Sequence, residues 1–282
     1  MHIAVTRPEV EEGRLTPPHL EAALQALREE GYVVLEDVID LEHVATLRDR
    51  MLEDALSILS LPNRPFNWNP GNIQQEPPPF PPFLFRDVLL NPVVLQVTTA
   101  LLGPGVKNTF YSGNTSLPGP HTQPVHADIG HLWPNLKEAH PAYAVVVNVP
   151  VVDMSPHNGS TEIWPGTHLD PRVSVDSDIK VQPEWCEARR AQVPPLQPSV
   201  RAGSVLLRDM RLWHRGMPNH SQGARPMIAM IHACGWWDAA RLVFPKEAQP
   251  FFQDSPLRMD IDFVDGPVDY IGRLHGYEYE EA

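Results

Sequence analysis

The feature that most constrains the fold is a series of short, strand-like runs in the second half of the chain, separated by turns that contain Gly or Pro. These runs cover residues 109–112, 123–127, 143–149, 161–164, 205–207 and 226–232. Several short strands with such turns favour a sandwich or a barrel, and the double-sheet jelly roll is one fold of this kind. The chain has 282 residues, 42% of them apolar, which is enough for one large β-rich domain.

Helices are predicted ahead of these strands. Thr16 can cap a helix that Gly31 ends, and Asp40 can cap a second helix whose apolar residues repeat at helical spacing. A short third helix is predicted between Asn91 and Gly103. We expect the helices to buttress one face of a sheet rather than to carry chemistry.

Residues 61–82 are rich in Pro and carry interspersed aromatic side chains. Because Pro lacks a backbone donor, regular strand pairing is not expected in this segment. A surface linker is one interpretation, but linkers seldom carry several aromatic side chains. The composition therefore favours a mobile lid over a pocket, formed by residues 70–82, from which Gln74 and Gln75 could reach a substrate.

A His and a carboxylate that suit metal binding occur at the end of the run 123–127. His126 and Asp128 are two residues apart, so on a strand their side chains point to the same face. His214 follows another strand-like run and offers a third ligand. Two His and one carboxylate can hold one face of an octahedral Fe(II) and leave three positions open.

A short His-x-Asp match by itself is more often a surface ion pair than a metal site. The context favours the metal site here, because Arg225 lies eleven residues after His214 and opens an apolar strand. A guanidinium in that position can bind a carboxylate through two parallel hydrogen bonds. A metal site and a carboxylate anchor are thus predicted together.

The charge balance limits the classes of partner. The chain has 22 basic and 35 acidic residues, a formal net charge of −13, which disfavours nucleic acid and anionic membrane surfaces and suits a neutral or cationic small-molecule substrate. Two cysteines do not make a disulfide framework. No apolar run reaches spanning length, and the first residues do not look like a signal peptide, so a cytoplasmic protein is expected.

The chain resembles the phytanoyl-CoA dioxygenase family of Fe(II)- and 2-oxoglutarate-dependent oxygenases. The resemblance rests on His126-x-Asp128, on the run Asn-Gly-Ser-Thr-Glu-Ile-Trp-Pro-Gly-Thr-His at 158–168, and on His214-Arg-Gly followed by Arg225. It extends from about residue 20 to residue 236. Within the family, residues 71–78, 111–114 and 131–134 are most similar to bacterial natural-product tailoring enzymes of the kanamycin B dioxygenase kind.

This resemblance implies a mainly β fold with N-terminal helices, a cupin-like jelly roll or double-stranded β-helix with Fe(II) in its mouth. It also implies 2-oxoglutarate and O2 as cosubstrates, with Arg225 binding the distal carboxylate of 2-oxoglutarate. Gln123 and Thr161 correspond to family positions that assist this binding. Asn148 either faces the cosubstrate or satisfies buried backbone groups, and His168 is expected to be a structural hydrogen-bonding residue.

A single domain over residues 1–282 is expected, with a helical buttress and Pro-rich lid at 16–103, a jelly-roll core at 104–240 and a C-terminal extension at 241–282. The substrate is expected to contact Gln74, Gln75, Asn114 and Trp133. The expected reaction is oxidation of a C–H bond in a small polar natural product or biosynthetic intermediate, as in antibiotic biosynthesis, with release of succinate and CO2.

Several alternatives stay open at this point. An acyl-CoA or lipid hydroxylase of the same family is one, although the pocket region offers few cations for a CoA nucleotide. A metal cupin that uses no 2-oxoglutarate and a catalytically inactive binding protein are the others. The sequence does not decide whether the chain forms a homodimer.

Overall fold

A computed structural model describes residues 1–175 and 178–272 of the chain. Its α-helices are α1 (Arg7–Glu12), α2 (Pro17–Glu29), α3 (Leu41–Leu59), α4 (Arg86–Leu89), α5 (Pro92–Leu102) and α6 (Pro183–Gln192), and 3-10 helices cover Thr167–Leu169 and Lys246–Phe252. Its strands are β1 (His2–Ala4), β2 (Tyr32–Glu36), β3 (Phe66–Asn67), β4 (Asn69–Gln74), β5 (Lys107–Ser116), β6 (Ala144–Pro150), β7 (Glu162–Ile163), β8 (Val205–Asp209), β9 (His214–Arg215), β10 (Arg225–Ala233), β11 (Leu242–Pro245), β12 (Arg258–Met259) and β13 (Ile261–Val264).

Nine of these strands form one large sheet. Its order is β1-β2-β8-β6-β10-β5-β4-β3, and β12 also pairs with the beginning of β5. From β2 to β3 in this order, each strand is antiparallel to its neighbour. Strand β1 pairs in parallel with β2, and β12 pairs in parallel with β5. None of the helices in the described part of the chain is both long and apolar enough to cross a lipid bilayer.

Alternation along the strands gives the large sheet two different faces. One face packs Val33, Val147, Leu207 and Ile228 against apolar residues of α2, α3 and α5, which makes the main core. Their sequence neighbours point to the opposite face, because successive side chains of a strand alternate. The inner face of β8 therefore carries Arg208, in line with its position in the wall of the central cavity.

A second, smaller sheet faces this inner surface. Within the described residues its only strands are β7 and β9, which pair at Glu162–Arg215 and Ile163–His214. Isolated bridges extend the pairing on both sides, from His126 to His214 and Lys180, and from Ile163 to Leu196. The two sheets face each other as in a jelly roll, with the central cavity between them.

The helix predictions are confirmed in their positions. Helix α2 follows Thr16, the side chain of Asp40 accepts a hydrogen bond from the Glu42 amide at 2.8 Å to cap α3, and Gly103 ends α5. The Thr16 hydroxyl, however, donates to the Glu9 carboxylate instead of capping its own helix. Helices α2 and α3 bury their apolar stripes on the outer face of the large sheet, as expected for a buttress.

Two predictions about the strands need correction. Residues 123–127 do not form a continuous strand, because only His126 makes bridge pairs in this stretch. The sequence predicts no regular pairing for residues 61–82, but β3 and β4 lie in this segment, and β4 pairs with β5 through Asn72, Ile73 and Gln74. Pairing is compatible with the prolines because Pro70 lies outside the paired positions. The 16–103 segment thus supplies strands to the sheet as well as helices.

Candidate metal centre and cosubstrate pocket

The two His residues of the predicted triad are direct cross-strand neighbours. The His126 amide donates to the His214 carbonyl at 2.9 Å, and the His214 amide donates to the His126 carbonyl at 2.8 Å. In antiparallel pairing, residues that exchange both hydrogen bonds point their side chains to the same face. The two imidazole rings accordingly lie with their centroids 4.4 Å apart.

Each imidazole is oriented by the backbone two residues before it. Nδ1 of His126 donates to the Pro124 carbonyl at 2.8 Å, and Nδ1 of His214 donates to the Leu212 carbonyl at 2.9 Å. A hydrogen bond of this kind fixes the tautomer, so that Nε2 of each ring keeps its lone pair for a metal. Burial lowers the pKa of His126 to about 3, with a further contribution from His214, and this also favours the neutral ligand form.

Asp128 completes the cluster. Its Oδ1 lies 3.4 Å from Nε2 of His214, and the ligand atoms of the three residues all lie within 4.8 Å of one another. Burial alone would raise the pKa of Asp128, but nearby Arg208 and His214 outweigh burial and hold the pKa well below its ordinary value. Two neutral imidazoles and one carboxylate are the donor set of a non-haem Fe(II) site, so these residues fit the metal that the sequence predicts.

Arg225 lies in the wall of the same cavity, and its guanidinium is buried without a carboxylate partner in the described residues. Its Nε donates to the Asn158 carbonyl at 3.1 Å and its Nη2 to the Gly159 carbonyl at 2.9 Å. Its Nη1 has no hydrogen-bond partner in the part of the chain that the structure describes. Burial lowers the pKa of Arg225 to about 10, so the cation is retained at neutral pH in an environment that lacks a compensating anion.

The cavity is also lined by the three other residues predicted at the cosubstrate site, namely Thr161, Gln123 and Asn148. The Gln123 amide is already engaged, since its Oε1 accepts from the Gly216 amide at 2.7 Å and its Nε2 donates to the Asn67 carbonyl at 3.2 Å. Asn148 accepts from Nε of Arg208 at 3.2 Å, so its oxygen contacts a side chain rather than the backbone. These contacts tie the cavity wall to the segments that carry the triad.

Two of the four predicted substrate residues face the cavity. Gln74 and Asn114 lie in its wall and share one donor, because Nδ2 of Asn67 donates to Asn114 Oδ1 at 2.8 Å and to Gln74 Oε1 at 3.3 Å. Nε2 of Gln74 also donates to Ser112 Oγ at 3.1 Å. One end of the cavity is therefore lined by a connected set of side-chain amides.

Gln75 and Trp133 do not line the cavity, so the structure does not bring them together with Gln74 and Asn114, and their contact with a substrate stays a prediction. Gln75 points away from it, toward the helices, because it follows Gln74 in an extended segment, and its Nε2 donates to the Met51 carbonyl at 2.7 Å. Trp133 is 56% exposed and packs edge-on against His140 instead. Trp68 and Phe110 provide the aromatic part of the cavity wall, and the ring centroid of Trp68 lies 5.1 Å from that of His126.

His168 lies outside the metal cluster, as expected. Its Nε2 contacts the Arg28 carbonyl at 3.1 Å and links the turn after β7 to helix α2. Gly166, in the same turn, has a φ of 75°, which a residue with a side chain rarely adopts. Arg208 is a further charged residue at the metal cluster that no local sequence pattern indicates, and its Nη1 lies 2.6 Å from Asp128 Oδ2.

Comparisons with known proteins agree with this geometry. The family model for phytanoyl-CoA dioxygenase matches residues 27–227. A relative, dioxygenase andF of Emericella variicolor, is 22% identical over 235 residues, which cover 76% of this chain and 74% of the relative.

Solved structures are similar at the level of the fold. AviO1 from Streptomyces viridochromogenes has a TM-score of 0.57 and 22% identity, with 78% of this chain and 97% of that chain covered. SnoK, a non-haem α-ketoglutarate-dependent carbocyclase from nogalamycin biosynthesis, has a TM-score of 0.55 and 19% identity, with 80% and 85% covered. EctD from S. alaskensis, solved with 2-oxoglutarate and 5-hydroxyectoine, has a TM-score of 0.53 and 18% identity, with 78% and 76% covered.

These similarities confirm the cupin-like jelly roll with N-terminal helices. They also confirm that the chain is an enzyme. The chain belongs to the phytanoyl-CoA dioxygenase family, and it is a dioxygenase whose cofactors are Fe(II), 2-oxoglutarate and O2.

Proposed function

We propose that this enzyme oxidises a C–H bond of a small polar natural product or biosynthetic intermediate, with release of succinate and CO2. The observation that carries the proposal is the presence of two features in one cavity. One is the His126, Asp128 and His214 cluster, and the other is the buried guanidinium of Arg225, whose Nη1 has no partner in the described residues. A cation buried in this way is stabilised by an anion that enters the cavity.

Roles follow from this arrangement. Nε2 of His126, Nε2 of His214 and a carboxylate oxygen of Asp128 would hold Fe(II), and Arg225 would bind the distal carboxylate of 2-oxoglutarate. The iron centre supplies activation of O2 coupled to decarboxylation of 2-oxoglutarate. Thr161 and Gln123 would complete the wall beside the cosubstrate.

The cavity wall supports a polar substrate. Asn67, Asn72, Gln74 and Asn114 line one end of it. The Oδ1 atoms of Asn67 and Asn72 are buried and have no hydrogen-bond donor in the described residues. Buried acceptors are normally satisfied, so hydroxyl or amide hydrogens of a ligand would suit them. A long aliphatic chain would leave them unpaired at a cost of about 1–3 kcal/mol each, which disfavours an acyl-lipid substrate.

The relatives support the same class of chemistry. SnoK is described as a carbocyclase from nogalamycin biosynthesis, and EctD was solved with 5-hydroxyectoine. A role in secondary metabolism, such as antibiotic biosynthesis, is therefore part of the proposal.

The test is turnover of a substrate panel by the Fe(II)-loaded enzyme. The panel contains hydroxylated cyclic compounds, aromatic polyketides, aminoglycosides, free fatty acids and acyl-CoAs, and the measurement is succinate formed in step with oxidised product. The proposal predicts coupled turnover only among the polar small molecules. Coupled turnover confined to acyl-CoAs or fatty acids would contradict it and would assign a lipid hydroxylase instead.

A further inference from the structure

Arg208 is a second buried cation in the wall of the cavity, besides Arg225. It lies on β8 and faces inward, and only 7% of the residue is exposed. Its Nε donates to Asn148 Oδ1 at 3.2 Å, which fixes the plane of the guanidinium. A second guanidinium is more than the distal carboxylate of 2-oxoglutarate requires, so its presence calls for a separate explanation.

The contact between Arg208 and Asp128 does not use up the donors of the guanidinium. Nη1 lies 2.6 Å from Asp128 Oδ2 as an ion pair, and among the described residues Nη1 forms no hydrogen bond. The contact is therefore a close pairing of charges. When Asp128 binds a metal, part of its negative charge is shared with that ion, and Arg208 is left with less compensation.

The charges in the cavity wall point to the kind of ligand that is missing. The ionisable residues lining the cavity, apart from the two ligating His, are one carboxylate, Asp128, and two guanidiniums, Arg208 and Arg225. Metal binding requires neutral imidazoles, so the wall carries a net charge of about one positive unit. Fe(II) adds two positive charges and 2-oxoglutarate brings two negative ones, so this unit remains uncompensated after the cosubstrate binds.

The sheet register separates the two arginines. Val146 on β6 pairs with Arg208 on one side and with Ile231 on the other, and Ile231 lies six residues beyond Arg225 along β10. At roughly 3.3 Å per residue, the two backbone positions are about 20 Å apart along the strand direction. Arg208 is therefore a binding position distinct from the anchor at Arg225, on the side of the cavity where it contacts Asp128.

We propose that Arg208 is a specificity-determining residue that binds a carboxylate beside the metal centre, so that the enzyme accepts a neutral or acidic substrate in preference to a cationic one. This inference rests on the proposed function and names the charge of its substrate. The net charge of −13 would favour a cationic substrate at long range, but the buried charges of the cavity decide binding at contact distance. The carboxylate could come from the substrate or from the keto-acid end of 2-oxoglutarate.

Two binding measurements on the Co(II)-loaded protein separate these sources. Calorimetry gives the affinity for 2-oxoglutarate. The second measurement uses three small-molecule probes, cyclohexanecarboxylate, cyclohexanecarboxamide and cyclohexylmethylamine, with saturating 2-oxoglutarate present. The paramagnetic relaxation that Co(II) causes in the protons of each probe gives the affinity for that probe. The wild-type protein should bind the carboxylate more tightly than the amine.

The variants are Arg208→Met, Arg208→Lys and the control Arg215→Met. Arg215 follows the ligand His214 but pairs with Glu162 at 2.8 Å and does not line the cavity, so its loss removes the same charge nearby. Arg208→Met should lower affinity at least tenfold for cyclohexanecarboxylate if the substrate supplies the carboxylate, or for 2-oxoglutarate if the cosubstrate does. Arg208→Lys should lose less in the same measurement, because Lys keeps the charge without the planar fork.

Cobalt content and circular dichroism establish that each variant is folded and loaded. If Arg208→Met fails to fold, the Arg208→Lys measurement decides, with an expected loss of at least threefold. The proposal is overturned if neither affinity falls relative to Arg215→Met, or if the wild-type protein binds the amine more tightly than the carboxylate. If Arg225→Met loses 2-oxoglutarate affinity while the Arg208 variants lose neither, only this inference fails and the proposed function stands.

Discussion

Replacing Arg225 with Met should separate cosubstrate binding from folding. In a desolvated site, removal of one partner of a hydrogen-bonded charge pair costs about 2–5 kcal/mol. At 1.4 kcal/mol per factor of ten, affinity for 2-oxoglutarate should fall by a factor between about 30 and several thousand. The affinity of Arg225→Lys for 2-oxoglutarate should lie between those of the wild type and Arg225→Met, since an ammonium group cannot form the two parallel hydrogen bonds of a guanidinium.

The same change should alter the stability of the ligand-free protein much less. Burial lowers the pKa of Arg225 to about 10, and at about 1.36 kcal/mol per pKa unit of this shift the charge costs about 3 kcal/mol to bury. Met removes this cost, but the carbonyls of Asn158 and Gly159 then lose their donors, at about 1–3 kcal/mol each. The two contributions are similar in size and opposite in sign, so a small net change is expected.

The assay is calorimetric titration of 2-oxoglutarate into Co(II)-loaded protein, combined with denaturant unfolding with and without the cosubstrate. At 100 times Kd, 2-oxoglutarate should stabilise the wild-type protein by about 2.7 kcal/mol, and the same concentration should stabilise Arg225→Met far less. Arg215→Met is the matched control, and it should bind 2-oxoglutarate as the wild type does. Equal affinities of wild type and Arg225→Met would refute the assignment of the anchor.

Three further predictions concern the fold. His232 is buried beside Thr98, and burial lowers its pKa to about 4, so between pH 4 and about 6.5 this residue binds more protons in the unfolded chain than in the folded one. Its own contribution should lower the free energy of unfolding by about 3 kcal/mol as the pH drops through that range, in addition to that of His131, whose pKa burial also lowers to about 4. His232→Asn should reduce this pH dependence in denaturant unfolding from pH 4 to 7, whereas an unchanged slope would contradict the prediction. A Cβ on Gly113 would lie 2.2 Å from the Met227 carbonyl oxygen, so Gly113→Ala should lower the free energy of unfolding by about 1–3 kcal/mol in the same assay. A Cβ on Gly223 would have no atom within 4 Å, so the control Gly223→Ala should change it by no more than about 0.5 kcal/mol. Equal stabilities of the two variants would count against the close approach of β5 and β10. The Gln75 backbone amide donates to the Gly113 carbonyl at 3.0 Å, so its hydrogen exchange should be slow without any substrate. Fast exchange that slows only on adding substrate would contradict this and would support the predicted mobile lid at residues 70–82.

The parts of the site that sequence could predict are those with a local pattern. His126 and Asp128 are two residues apart, and His214 and Arg225 lie beside or at the start of apolar strand-like runs, so local spacing singles out these four residues. The strand expected at 123–127 is reduced to one bridge pair at His126, so alternation along a strand is not what places Asp128. The structure brings all four into one cavity wall. The helix caps are local in the same sense, and Asp40 and Gly103 mark helix ends as predicted.

The parts that sequence could not predict depend on register or on distant contacts. Gln74 and Gln75 look equivalent in the sequence, and only the pairing of β4 with β5 decides that Gln74 faces the cavity. Arg208 and Asp128 are 80 residues apart, and no spacing rule connects them. The smaller sheet is held by the two-residue pairing of β7 with β9 and by single bridge pairs, which are too short to leave a periodic pattern.

The central claim is that His126, Asp128 and His214 hold the iron to which 2-oxoglutarate binds. It is tested most directly by anaerobic titration of the metal-free protein with Fe(II) in the presence of 2-oxoglutarate, followed by visible charge-transfer absorption. The wild-type protein should reach saturation at one Fe(II) per chain, and His214→Ala should show neither the absorption nor tight binding, because two remaining ligands no longer define one face of the ion. The same absorption at the same stoichiometry in His214→Ala would contradict the account.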